Sequence, residues 1–220
     1  MKHLIIALLA CLPWTAMAQN TWELPESQTN KQEVEKPQKQ VKEKVQKIKE
    51  DPKYLTGAVP EVDGKVVFTL DRDVPGMSAD DIYQAVYEVM QGITQEEGQF
   101  PTSKIAVVNK GQHTIAARIK EWLVFSNSFL SLDRTVFNYT LIAQASDGHI
   151  KMTMERISYE YETERPSGIR ASAEEWITDK KAVNSKHTKL QKYNGKFRRK
   201  TIDRKDNIFG RVCNALRISY

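Results

Sequence analysis

Phe137, Tyr139, Leu141, Ala143 and Ala145 occupy every second position, the run stops at Asp147-Gly148, and Ile150, Met152 and Met154 resume the alternation. Successive side chains of a strand point to opposite faces, so this spacing marks strands with one dry face. Asp-Gly supplies the positive backbone angles that a tight hairpin needs. The chain must therefore build an antiparallel sheet, and its dry face must be covered by another layer. After Met154 the apolar phase changes to Ile157, Tyr159 and Tyr161. A one-residue slip turns every later side chain to the opposite face. The sequence thus predicts a β-bulge at Glu155-Arg156 that restores the phase.

Other segments extend this sheet. Val66, Phe68 and Leu70 alternate ahead of Pro75-Gly76; Ile105–Asn109 is apolar, Lys110-Gly111 turns the chain, and Ile115, Ala117 and Ile119 alternate up to Trp122. Ser78 precedes Asp80 and Asp81 as an N-cap with acids in the first turn, and Ile82, Ala85, Val86, Val89 and Ile93 follow at helical spacing. Ser172-Ala173-Glu174-Glu175 reads as a capping box ahead of Trp176 and Ile177, and Ile202, Phe209, Val212 and Leu216 mark a last helix. The expected fold class is α+β: a curved antiparallel sheet with helices on one face, in the order β-α-β-β-β-β-α.

Ahead of this domain the sequence changes character. Met1-Lys2-His3, the apolar run Leu4–Leu12 and Ala16-Met17-Ala18 have the layout of a secretory signal peptide over residues 1–18, with a run too short to span a bilayer. The alternative is a lipoprotein acylated at Cys11 within Leu8-Leu9-Ala10-Cys11. Residues 19–53 are rich in Gln, Lys and Glu and carry Pro25, Pro37 and Pro52, a composition that buries too little apolar surface to fold alone. Val41, Val45 and Ile48 sit at helical spacing there, and a solvated spacer is preferred over a partner-binding seam. The folded domain is expected over 54–220, exported to the periplasm or secreted. No further segment is apolar enough for a transmembrane helix. Once a leader is removed, Cys213 is the one remaining cysteine, so the core and not a disulfide must hold the fold. Its surroundings, Ile208, Phe209, Val212 and Leu216, make it a buried apolar residue.

The net charge of +5 conceals an asymmetry: 11 Lys/Arg against 19 Asp/Glu over 54–179, but 13 against 2 over 180–220. Such a split implies either an anionic partner for the tail or attraction between the two parts.

Several stretches resemble a known family. They are Ala58-Val59-Pro60-Glu61-Val62-Asp63-Gly64-Lys65-Val66-Val67-Phe68, Glu121-Trp122-Leu123-Val124-Phe125, Phe137-Asn138-Tyr139, Ala173–Asp179 and Lys196–Asp203. Together, over roughly Tyr54 to Ile218, they resemble an exported bacterial domain of unknown function with a TATA-box-binding-protein-like (TBP-like) fold. The resemblance implies that fold and carries no catalytic or binding residues with it. A shared fold with a DNA-binding protein is no evidence for DNA binding.

No sequence motif with a mechanism is present: no phosphate loop, no nucleophile elbow, no paired histidines on a helix face. His113 and His149 each start a strand after a glycine turn, where strand ends would bring them together, but no third metal ligand accompanies them. No cofactor or metal is expected. The paired acids Asp80-Asp81 and Glu174-Glu175 are explained by helix caps.

Two binding candidates remain. Lys196, Arg198, Arg199, Lys200, Arg204 and Lys205 form a dense cluster with Tyr193 and Phe197 interleaved. Lys/Arg clusters neutralise phosphates and aromatic rings stack on bases. Export argues against nucleic acid, which leaves anionic headgroups or an acidic envelope surface; the competing reading is a solvated helix face partly paired with the acidic sheet. The second candidate is Ser128–Leu132, where Phe129, Leu130 and Leu132 form an exposed lip for a partner or else extend a strand. The expected function is a non-catalytic binding or adaptor domain of the cell envelope, holding an envelope protein or anionic surface. The alternative is a carrier of a small apolar ligand in a cavity between sheet and helix, lined by Phe137, Met152, Met154 and Tyr159.

Overall fold

The computed structural model describes residues 50–128 and 131–220. Residues 1–49, where the leader and the spacer are expected, and Phe129 and Leu130 lie outside the described residues. A short hairpin of β1 (Glu61–Val62) and β2 (Lys65–Val66) precedes β3 (Phe68–Asp73) and helix α1 (Ala79–Thr94). Then come β4 (Lys104–Asn109), β5 (Thr114–Ser128), β6 (Ser131–Ser146), β7 (His149–Tyr161) and β8 (Ile169–Ser172). Three helices close the chain: α2 (Ala173–Trp176), α3 (Asp179–Ala182) and α4 (Asn194–Ala215). β3 to β8 form one antiparallel sheet in the order β3-β7-β6-β5-β4, with β8 also pairing β7.

The hairpin at Asp147-Gly148 forms as the alternation requires, with Ser146 opposite His149 and Gly148 at φ 70°. The expected bulge forms as well: Asn138 pairs with Ser158 but Thr140 with Glu155, and Arg156 takes φ 54°. The extra residue keeps Ile150, Met152 and Met154 before it and Ile157 and Tyr159 after it on one buried side. Ile115, Ala117 and Ile119 of β5 and Phe137, Tyr139, Leu141 and Ala143 of β6 share the same core with Ile82, Val86, Met90 and Ile93 of α1 and Phe197, Ile202, Phe209 and Val212 of α4. The alternate phase is half-buried or exposed and mostly polar: Arg118, Lys120, Asn138, Thr140, Thr153, Ser158 and Glu160.

Local signals hold at the helix ends. The Ser78 side chain accepts from the Asp81 N–H, and Ser172 and Glu175 form a reciprocal capping box. Four expectations are corrected. The strand over Val66–Leu70 breaks at Val67, because the Val66 N–H donates to Glu174 Oε1 (2.9 Å) and leaves the sheet register. The expected element count is too small, since β1, β2, β8 and α3 are too short for a periodic signature. The domain reaches back at least to Glu50: its carboxylate pairs with Arg199, Asp51 caps a 3-10 turn over Pro52–Tyr54, and Lys53 pairs with Asp203 (2.9 Å). The cavity expected between sheet and helices is filled by its own walls. Phe137, Met152, Met154 and Tyr159 are 0% exposed, so none borders a space that admits water. Phe137 stacks on Tyr159 (5.5 Å between centroids), and Tyr159 stacks on Trp176 (5.8 Å).

Candidate functional site

The basic cluster of α4 does not form one surface. Arg198 is 0% exposed: its guanidinium donates to the carbonyls of Tyr54, Leu55 and Ile177 and to Asp179 Oδ1, each at 2.6 Å. Burial lowers its pKa, with Asp179 working against that. Arg204 donates through Nε and Nη2 to both oxygens of Glu121 (2.8 and 2.7 Å) and through Nη2 to Glu96 (2.8 Å). Arg199 is taken by Glu50, and Lys200 is half-buried. Arg198 and Arg204 are therefore removed from the candidate anion surface, because their charges are consumed inside the fold. The spacing contained this signal. Arg198 lies four residues before Ile202, and Arg204 four before Ile208, which places both on the buried stripe.

The remaining members of the run are engaged too. Lys196 pairs with Asp133 (2.8 Å) and lies over the rings of Tyr161 (4.3 Å) and Phe125 (4.7 Å). Lys205 pairs with Asp206 of the same helix and donates to the Tyr220 hydroxyl (2.8 Å). Of the two readings of the charge split, attraction between the parts describes the pairs Lys196–Asp133, Arg198–Asp179, Arg204–Glu96 and Arg204–Glu121.

Glu121 is the residue that sequence reasoning missed. It stands in the inward phase of β5, 6% exposed, and also accepts from the Tyr139 hydroxyl (2.9 Å) and from Gln99. Burial pushes the Tyr139 phenol well above its ordinary value, and the Glu121 charge adds to this. Glu96, which also accepts from Arg211, is pushed up by burial but held below its ordinary value by the two arginines. A charged residue breaking an apolar alternation, as Glu121 does between Ile119 and Leu123, is the signal that marks such a position.

On either side of Phe129 and Leu130, which lie outside the described residues, the strands continue: Ser128 pairs with Ser131 and Asn127 with Leu132. Leu132 is 51% exposed and lines a groove of about 210 Å³ with Trp122, Arg134, Glu160 and Tyr161. The two histidines take separate carboxylate partners. His113 Nε2 meets Asp80 (2.9 Å), whereas His149 bridges Asp71 and Asp73 (2.9 Å each), and Asp73 raises its pKa. Among the described residues no group of three or more His, Cys, Asp or Glu is arranged to hold a metal ion. Cys213 is buried, which pushes its thiol up.

Open space lies where β3 meets α4, in a groove of about 430 Å³ lined by Phe68, Arg72, Lys205, Phe209 and Tyr220, and along the sheet around the β7 bulge. A groove of about 590 Å³ runs between the β1–β2 hairpin and the β7 bulge and is lined by Val62, Lys65, Val67, Arg156, Ile157 and Glu174. A second, about 210 Å³, is lined by Arg118, Lys120, Asn138, Thr140 and again Arg156. The bulge residue Arg156 thus stands where the two meet, raised out of the strand by its positive φ. No helix among the described residues is long and apolar enough to cross a membrane.

The chain is similar to known structures throughout this region. A family model described as a domain of unknown function (DUF4468) with TBP-like fold matches residues 68–160. The crystal structure of a DUF4468 family protein from Bacteroides ovatus ATCC 8483 is 42% identical, with a TM-score of 0.70 over 76% of this chain and 95% of that one. A TBP-like protein from Parabacteroides distasonis ATCC 8503, 20% identical, superposes with a TM-score of 0.60 over 74% of this chain and 99% of that one, a likeness of fold alone. No curated protein matches the chain. With an antiparallel sheet packed by helices and this identity over nearly the whole of a solved relative, the chain belongs to the DUF4468 family, α+β domains of TBP-like fold.

Proposed function

We propose that this chain is an exported, non-catalytic binding or adaptor domain of the bacterial cell envelope, and that α1 and α4 cover one sheet face so that the other holds its partner. The observation that carries this reading is the pair of grooves meeting at Arg156 on the polar phase of the sheet. Binding sites combine apolar floor with a few placed polar groups, and here Val62 and Val67 lie beside Lys65, Arg156 and Glu174. The leader-like start and the charged, proline-punctuated stretch ahead of Glu50 support a domain exported on a spacer. The polar groups in the interior are already committed to one another, which supports a scaffold role for them and leaves the surface to act.

Site-specific photocrosslinking in the native envelope tests the proposal. A crosslinker at Thr140 or Ser158, on the polar phase of the sheet, is expected to trap a reproducible partner. One at Asn207, exposed on α4, is expected to trap none. Equal capture from both positions, or none from either, overturns it.

A further inference from the structure

The register of four strands brings positive charge together on that face. Lys104 of β4 lies directly opposite Arg118 of β5, and Arg118 lies opposite Thr140 of β6. Thr140 in turn lies opposite Glu155 of β7, beside the bulged Arg156. Directly opposite residues project to the same face, and like charges in such a pair oppose sheet formation. Arg118 alternates with the buried Ala117 and Ile119, which fixes Arg118 and Lys104 on the polar side. Neither has a carboxylate within salt-bridge distance among the described residues. β5 and β7 are two strand spacings apart, about 10 Å, so two arginine side chains reach a common point between them.

The space at that point is the 210 Å³ groove lined by Thr102, Arg118, Lys120, Asn138, Thr140 and Arg156, along with the backbone of Ile119 and Tyr139. Its side chains supply two guanidiniums, an ammonium, two hydroxyls and an amide, and no carboxylate lines it. Three contacts draw on this set from outside. Lys120 and Asn138 both donate to Glu160 (3.1 Å each), and Arg156 Nε stands 3.5 Å from Glu155. Arg118 keeps its whole fork of donors, and Arg156 is 77% exposed at the side chain. A like-charge pair kept on a sheet, next to a second guanidinium and neutral donors, is the arrangement that an oxyanion would neutralise.

We propose that this groove binds a phosphate group, with Arg118 and Arg156 as its two guanidinium ligands and Thr140 as a hydroxyl donor between them. The inference rests on the reading that the polar sheet face is the binding face, and it names the ligand chemistry of that face. The phosphate is that of a small soluble molecule or of a lipid headgroup; the two sources share the contacts and separate in the test.

The test uses the purified full chain and two probes, inorganic phosphate and vesicles of phosphatidylglycerol in phosphatidylcholine. Thermal unfolding is followed against phosphate, with sodium chloride at matched ionic strength to remove general screening. A saturable rise in Tm that chloride does not give, weakened roughly tenfold or more in Arg118→Glu and in Arg156→Gln, supports the soluble source. No effect of inorganic phosphate, but co-sedimentation with the anionic vesicles that both substitutions abolish, supports the headgroup. No response to either probe overturns the proposal, and so does a response that both variants retain. Arg118→Glu places a carboxylate opposite Lys104, so its Tm in chloride is expected to equal or exceed that of the parent; Arg118→Gln replaces it if it does not fold. No response to either probe while the Thr140 crosslink persists overturns the groove alone, whereas absence of a crosslinked partner at Thr140 in the parent chain overturns the face.

Discussion

Two sets of arginines in this molecule invert what their sequence neighbourhoods advertise. Arg198 and Arg204 come from the densest basic run in the chain, yet one is wholly buried among carbonyls and Asp179 and the other is clamped by Glu121 and Glu96. Arg118 and Arg156 come from strands with no basic run, yet they line one groove with no carboxylate in its wall. The difference lies in what faces each guanidinium. A charge taken out of water must be met by hydrogen bonds and opposite charge, so the helix-side arginines stand where acceptors are fixed. A charge left at a wet surface needs no partner to persist, so the sheet-side arginines remain available.

The comparison is broken most forcibly at Arg204. Arg204→Ala leaves the Glu121 carboxylate buried with its main counter-charge gone, and a loss of about 3–5 kcal/mol in denaturant unfolding is expected. A loss below about 1 kcal/mol would mean that Glu121 reaches water when the arginine is removed. Arg198→Ala comes next, at about 3 kcal/mol, because it strands three carbonyls and Asp179 at once. Hydrogen exchange should then rise over residues 50–57, which Arg198 ties to the helix.

Acid sharpens the same contrast. Burial works to raise Glu96, Glu160 and Asp203, but their hydrogen-bonding partners hold all three carboxyls below their ordinary values in the folded chain. A group of this kind contributes its stability in full above its unfolded value, 4.5 for Glu, and loses it as pH falls through the lowered folded value. Tm should therefore be flat near neutrality and fall below about pH 4.5. An unchanged Tm at pH 3 would sink the claim that these pairs hold the fold. A more modest effect is expected of Tyr159→Phe, which removes the hydroxyl contact to Thr201 (2.7 Å) and should destabilise by about 1 kcal/mol. The smallest effect belongs to the sheet side, where Arg118→Glu should leave unfolding unchanged or stabilise the fold by up to about 0.5 kcal/mol.

Much of the scaffold was legible because it is governed by local rules. The Asp147-Gly148 hairpin, the bulge at Glu155-Arg156, the Ser78 cap and the Ser172 capping box each depend on a few adjacent residues, and each is present. The short elements were not legible. β1, β2, β8 and α3 owe their existence to partners elsewhere, as when Glu174 draws off the Val66 N–H. The candidate site was legible only in part. Helical spacing was enough to put Arg198 and Arg204 on the buried stripe, but nothing adjacent in the chain announced that Glu121, Glu96 and Tyr139 wait there.

What the sequence by itself determined is the long strands and helices, their buried phases and the place where one phase slips, because alternation and capping act within a few residues of chain. Which charges meet was decided by the tertiary structure alone. Register across β5, β6 and β7 carries Arg118 to Arg156 past Thr140, and the seating of α4 carries Arg204 to Glu121. Both are distances through space, set by how the sheet is aligned and covered, and Coulomb and hydrogen-bond energies respond to those distances and not to separation along the chain.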